Sequence, residues 1–174
     1  MKQYKILFVG PVASGKTEAV KTLCGDNVLT TEVKPTDDVK NIKHETTVAM
    51  DYGTLPFGSE KKLHIYGAPG QGRFEFMLDI LSEGCLGVII LVDLSTVTSE
   101  EHLYKIVGEY TRFIERMPFM VGFTHVDLAD PAVAEQYCGA LNNRYGGQDL
   151  TRCVDPRSRA EVARLVEEIV LRVK

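Results

Sequence analysis

At 174 residues the chain has the length of one domain with a sizeable core, and its 44% hydrophobic and 25% charged residues are the proportions of an ordinary soluble globular protein. A net charge of −4 sets bulk electrostatics against nucleic acid and anionic membranes as partners. No apolar run approaches the ~20 residues of a membrane-spanning helix. The start Met1-Lys2-Gln3-Tyr4 shows neither a signal peptide nor a myristoylation glycine, and the end Leu171-Arg172-Val173-Lys174 holds no prenylation cysteine. These features predict a cytoplasmic protein with no lipid anchor. Cys24, Cys85, Cys138 and Cys153 lack metal-ligand spacing and are expected as buried thiols in a reducing compartment.

In chain order, residues 4–9 read as a buried strand and residues 16–24 as a helix. Residues 25–46, polar and interrupted by Pro35, read as irregular, and a loop of that length in a compact domain is usually functional. Residues 47–52 predict a strand, 53–60 a turn around Pro56 and Gly58, and 62–66 its hairpin partner. Phe74, Met77, Leu78 and Leu81 recur at helical spacing within 74–83. The nearly all-apolar run 85–92 marks a central parallel strand covered on both faces. Ser99 caps a helix expected to reach Arg116, 119–123 is another buried strand, and Pro131 opens a helix to about Tyr145. A short strand at 150–154 precedes a last helix at 158–173, with Val162, Leu165, Val166, Ile169 and Val173 on one face. The alternation predicts one α/β domain, a six-stranded, mainly parallel, doubly wound sheet with one antiparallel pair, which binds ligands at the carboxyl ends of its strands.

Gly10-Pro11-Val12-Ala13-Ser14-Gly15-Lys16-Thr17 fits G-x-x-x-x-G-K-[ST] between the first strand and its helix. This is the P-loop NTPase phosphate cradle: glycines allow the tight loop, backbone N–H groups wrap the phosphates, Lys16 adds charge at the outer phosphates, and the Thr17 hydroxyl suits Mg²⁺. The helix N-terminus adds its own affinity for anions.

Gly70-Gln71-Gly72-Arg73-Phe74 after the third strand and Thr124-His125-Val126-Asp127 after the fifth decide between nucleotides. With this order and spacing, the whole chain resembles the Ras-like small GTPase superfamily. The runs 46–53 and 65–71 are similar to a prokaryotic group described as signal recognition particle receptor β-like. That group includes conservon-type GTPases and is related to the MglA polarity GTPases. The resemblance implies a single G domain over 1–174, with switch I at about 30–47 and switch II at about 67–76. It implies GTP or GDP with Mg²⁺, held at the phosphates by Gly10, Val12, Ala13, Ser14, Gly15, Lys16 and Thr17. It further implies that Thr17 and Thr47 ligate the metal, that the Gly70 N–H meets the γ-phosphate, and that Gln71 orients the attacking water. Lys16, Thr47 and Gln71 are thus the catalytic set. Thr124, His125 and Asp127 match the base-binding loop, in which Asp127 accepts from the guanine ring N–H and exocyclic amine. Asp155 and Arg157 belong to the last base loop. A Roadblock-type partner near the switches is also implied.

Four positions depart from the pattern. Gly67 replaces the switch II aspartate, so either metal affinity is weaker or Asp51 or a water substitutes at that place. His125 replaces the lysine whose stem packs on the base. Pro156, within Asp155-Pro156-Arg157, has no N–H for the guanine carbonyl, so a neighbouring N–H, Arg157 or a water takes over, or guanine affinity falls. Gly72 replaces a glutamate and should loosen switch II. Switch I offers Lys34, Lys40, Lys43 and His44 but no arginine finger, and Arg73 reads as a surface or ion-pair residue more readily than a finger. His64 reads as a structural or surface residue rather than a ligand, and the Asp37-Asp38 pair as solvated. The expected function is a slow GTPase switch. The competing readings are a non-hydrolysing nucleotide-binding module and a P-loop kinase, and the kinase lacks an arginine-rich lid.

Overall fold

The computed structural model describes residues 4–33, 48–58, 61–70, 75–146 and 149–173. The first strand, β1 (Tyr4–Val9), sends Ile6 and Phe8 to one face and Leu7 and Val9 to the other, and all four are buried. Helix α1 (Lys16–Cys24) follows the phosphate loop. Then come β2 (Val28–Val33), β3 (Val48–Phe57), β4 (Lys61–Gly67), α2 (Glu75–Ser82), β5 (Cys85–Asp93), α3 (Glu100–Gly108), α4 (Thr111–Ile114), β6 (Phe119–Thr124), α5 (Pro131–Arg144), β7 (Thr151–Cys153) and α6 (Arg159–Leu171). The strands form one sheet in the order β2-β3-β4-β1-β5-β6-β7. The pairs β2/β3 and β3/β4 are antiparallel, and the remaining pairs are parallel.

Two apolar layers sandwich the sheet. Leu7, Val9, Ile90, Val92, Val121 and Phe123 meet Leu78 of α2, Leu103 and Val107 of α3, Phe113 of α4, and Tyr137 and Leu141 of α5. On the other face Ile6, Phe8, Ile65, Ile89, Leu91 and Met120 meet Val20 and Leu23 of α1 and Leu165 and Ile169 of α6. Each fully buried side chain of this size contributes about 1.5–3 kcal/mol, so both helix layers are anchored independently of any ligand. Ser99 Oγ accepts from His102 N at 3.1 Å, and Asp130 accepts from Ala132 N at 2.9 Å with Pro131 in the first turn. Among the described residues no helix is long and apolar enough to cross a membrane.

The mixed, doubly wound architecture is as expected, with corrections. The sheet has seven described strands, not six, because 28–33 lies inside the segment read as irregular. Its Val-Leu-Thr-Thr-Glu-Val composition is β-favouring although half polar. Strand β3 runs on through Gly53 and Pro56 instead of turning. The partner β2 reaches only Gly53, so Pro56 lies where no outer ladder bond is required. At Gly53 a β-carbon would come 2.6 Å from the Cys24 Sγ, and the bare α-carbon lets α1 approach. The helix expected from Ser99 to Arg116 stops at Gly108 and restarts at Thr111. The last helix ends at Leu171, ahead of Val173. Only Cys24 among the cysteines is fully buried: Cys85 and Cys138 are half-buried and Cys153 is exposed.

Candidate functional site

The parallel strands β1, β5, β6 and β7 end on one rim of the sheet, and the loops that leave this rim enclose a pocket of about 620 Å³. It is lined by Ala13 to Glu18, except Ser14, and by His125 to Asp127 and Val154 to Arg157. It therefore has a phosphate-loop end and a second end built by the loops after β6 and β7.

At the first end the chain adopts conformations that its sequence anticipates. Gly10 has φ 146°, and a β-carbon there would run into the Leu91 carbonyl oxygen of β5. Ala13 (φ 63°) and Gly15 (φ 94°) also lie in positive-φ regions. Ser14 is fully buried beneath the loop, whereas the Val12 and Ala13 side chains face outward. Lys16 is 7% exposed, and its Nζ donates to the carbonyl oxygens of Gly10 (2.9 Å) and Pro11 (2.6 Å) and lies 3.3 Å from Ser14 Oγ. Burial lowers its pKa to about 8, while the negative charge of Asp51 works in the opposite direction.

Thr17 Oγ1 donates to Asp51 Oδ2 at 2.5 Å. Asp51 is 3% exposed and sits on β3 directly across from Gly67 of β4. A β-carbon at Gly67 would lie 3.2 Å from both Asp51 Cβ and Asp51 Oδ2. The space beside Gly67 is thus filled by a carboxylate from the neighbouring strand, and that carboxylate faces the phosphate-loop threonine. A hydroxyl and a carboxylate at the mouth of a phosphate loop are hard oxygen donors, a set that suits Mg²⁺ completed by phosphate oxygens and water. Among the described residues no group of three or more His, Cys, Asp or Glu could hold a metal without such a ligand. Gly70 packs on the phosphate loop so closely that a β-carbon would come 2.6 Å from Val12 N. Thr47, Gln71, Gly72, Arg73, Phe74 and the switch I lysines lie outside the described residues.

At the other end Thr124 is fully buried, and its hydroxyl donates toward the Ser14 carbonyl (3.0 Å), tying β6 to the phosphate loop. His125 has φ 54°, and its Nδ1 lies 3.4 Å from Asp93 Oδ1. Asp127 is exposed on the following 3-10 turn and lines the pocket. Pro156 packs on Gly15, where a β-carbon would approach its Cγ to 3.0 Å. Arg157 clasps Asp155, Nε to Oδ1 and Nη2 to Oδ2, each at 2.9 Å. The Arg157 side chain, followed by the Arg157 backbone N–H, holds the Asp155 carboxyl down at about 2. Glu161 Oε2 accepts from Asp155 N at 2.8 Å. Sequence reasoning missed Asp93 and Glu161. Ser158-x-x-Glu161 is a capping-box spacing that could have flagged the second, whereas Asp93 has no motif of its own. Away from this pocket, His64 is hydrogen-bonded to the Tyr52 hydroxyl (2.8 Å) within the β3/β4 hairpin, the structural role expected for it.

Comparison with known proteins adds the following. The profile of a family described as "conserved hypothetical ATP binding protein" matches residues 26–173, a span that begins after the phosphate loop. An uncharacterised protein of Methanocaldococcus jannaschii, MJ1339, is 28% identical over 138 residues, 78% of each chain. The mutual gliding-motility protein MglA of Myxococcus xanthus is 23% identical over 152 residues, covering 80% of this chain and 76% of MglA. In structure the chain superposes on bacterial selenocysteine-specific elongation factor EF-Sec (TM-score 0.68, 18% identity), covering all of this chain but only 30% of that one. It also superposes on the G domain of the T. maritima FeoB iron transporter (TM-score 0.66, 18% identity, 97% and 98% covered). These structural likenesses establish a G-domain fold.

Proposed function

This chain belongs to the family of conserved hypothetical ATP binding proteins and is a small-GTPase-type P-loop protein related to MglA, and on that premise we propose that it is a GTP-binding molecular switch with slow, partner-stimulated hydrolysis. The observation that supports this most is one pocket lined at one end by Lys16 and Thr17, whose hydroxyl bonds Asp51, and at the other by Asp127. We assign the chain to the signal recognition particle receptor β-like group, as a single cytoplasmic G domain over 1–174, with a Roadblock-type protein as the regulatory partner.

In this reading the phosphates lie along Gly10 to Thr17, and the Lys16 ammonium leaves the Gly10 and Pro11 carbonyls to neutralise them. Thr17 and Thr47 would hold Mg²⁺, with Asp51 accepting the Thr17 hydroxyl, and the ion when bound supplies charge neutralisation at the phosphate oxygens. Gln71 orients the attacking water and the Gly70 N–H meets the γ-phosphate, so that catalysis is mostly positioning and electrostatics. Loss of the γ-phosphate releases residues 30–47 and 67–76 and changes the surface offered to a partner. Asp127 accepts from the donor groups of guanine with help from the loop Thr124-His125 and from Asp155 and Arg157. Adenine cannot supply that pair of donors, so it leaves the Asp127 carboxylate without them.

The family description names ATP, so the decisive test is equilibrium binding of fluorescent GDP, GTP and ATP analogues with and without Mg²⁺. Guanine preference that disappears in Asp127→Asn supports the reading, and equal binding of ATP sinks it. A single-turnover hydrolysis assay with the partner then separates a GTPase from a non-hydrolysing module.

A further inference from the structure

Guanine presents two edges to a protein. N1–H and the 2-amino group donate, whereas O6 and N7 accept. An acceptor such as a carboxylate reads the first edge, and the second must be read by an N–H or O–H whose hydrogen is available. The base end of this pocket has the acceptor, in Asp127, but the backbone donors of the 155–158 loop beside it are either engaged or missing. The Asp155 N–H donates to Glu161 Oε2 (2.8 Å), and Pro156 has no N–H. The Arg157 N–H donates to Asp155 Oδ1 (2.9 Å), and the Ser158 N–H to the Asp155 carbonyl (2.9 Å). The Thr124 hydroxyl, with its single hydrogen, faces the Ser14 carbonyl (3.0 Å), His125 Nδ1 (3.1 Å) and the Val92 carbonyl (3.4 Å). The Arg157 guanidinium gives its Nε hydrogen and one Nη2 hydrogen to the two oxygens of Asp155. Pro156 rests on the bare α-carbon of Gly15, which braces this closed loop against the phosphate loop.

We propose that the pocket selects its base through the donor edge: Asp127 reads N1–H and the 2-amino group, the backbone of the 155–158 loop leaves O6 and N7 unread, and Pro156 is the residue that makes it so. The ligand class is therefore any nucleotide whose base carries a ring N–H beside an exocyclic amine, with latitude at purine positions 6 and 7. This inference rests on the guanine reading of the same pocket.

The test is competition against a fluorescent GDP analogue on the full wild-type chain, with GTP, ITP, 6-thio-GTP, 7-deaza-GTP and ATP as competitors. 6-Thio-GTP keeps both donors but weakens the position-6 acceptor, 7-deaza-GTP lacks N7, and ITP lacks the amine. Expected is binding of the first two within about threefold of GTP and a loss of about tenfold or more for ITP. A loss of about tenfold for 6-thio-GTP or 7-deaza-GTP, or ITP equal to GTP, overturns the proposal. ATP binding as tightly as GTP, with no effect of Asp127→Asn, is the separate failure of the guanine reading itself. A second measurement uses Pro156→Ala, which restores an N–H. It should tighten GTP several-fold while leaving 6-thio-GTP unmoved, and equal changes in both overturn the role given to Pro156. The analogue series uses the unaltered protein and stands whether or not this variant folds.

Discussion

The two ends of the pocket are built on opposite plans. At the phosphate end a buried ammonium and a buried carboxylate face inward, each held by a bond that a nucleotide or metal ion can replace. At the base end the side chains close on one another, Arg157 on Asp155 and His125 beside Asp93, while Asp127 lines the pocket. The contrast teaches that affinity and selectivity are separable here. Buried charge is concentrated around the phosphate loop, while at the base end the exposed Asp127 lines the pocket beside side chains that bond one another.

The substitution expected to break this contrast most is Lys16→Met. It removes the buried cation from the phosphate end and should weaken nucleotide binding by about a hundredfold, since two charge-assisted hydrogen bonds to phosphate are lost. The nucleotide-free protein should be no less stable, because the lysine is desolvated by its burial. Calorimetric binding and thermal unfolding of the same variant check both halves. Next comes Asp51→Ala, expected to cost about tenfold in the Mg²⁺-dependent part of nucleotide affinity through the orphaned Thr17 hydroxyl. Adding Gly67→Asp to that variant should recover most of the loss, because the new carboxylate enters the vacated space, whereas Gly67→Asp alone crowds two carboxylates together. No recovery in the double variant would show that Asp51 acts by something other than its position.

Titration sharpens the same comparison. The ammonium of Lys16 loses its proton near pH 8 in the folded chain, against 10.5 for an ordinary lysine. Phosphate affinity should therefore fall as pH rises through 8, by up to about tenfold per unit. Between 8 and 10.5 the unfolded chain holds a proton that the folded chain lacks, so the stability of the nucleotide-free protein should rise over that window. Opposite slopes in binding and in unfolding, both removed by Lys16→Met, are the outcome to seek. The smallest effect is at the base end. His125→Ala should weaken GTP by only about threefold, because the ring is half exposed and its Asp93 contact is long. A loss of a hundredfold there would erase the contrast between the two ends.

Local chemistry was readable in the chain and cross-strand chemistry was not. The phosphate loop is one contiguous run whose glycines, lysine and threonine each have a stated conformational or electrostatic reason, and β5 is so apolar that it could only be central. Edge strand β2 escaped because the polar run Thr30-Thr31-Glu32 breaks the apolar/polar alternation of a strand and because it follows directly on a 3-10 turn. The break between α3 and α4 escaped because the apolar spacing continues across it to Phe113. The partnership of Asp51 with Thr17 depends on strand register, which no linear pattern states, and sequence reasoning could name Asp51 only as one option for the place left by Gly67. Hydrogen bonds that occupy the 155–158 donors depend on where α6 places Glu161, a tertiary fact.

Asp51 and Gly67 also bear on how relatives of this chain are to be recognised. Two positions sixteen apart in sequence share one small volume across an antiparallel pair. The shared space predicts that they exchange their contents rather than vary separately. Among homologues the expected pattern is covariation: an acid at the first position accompanies a small residue at the second, and an acid at the second releases the first. A search that demands an aspartate at the second position alone would discard every member that keeps the same carboxylate on the adjacent strand.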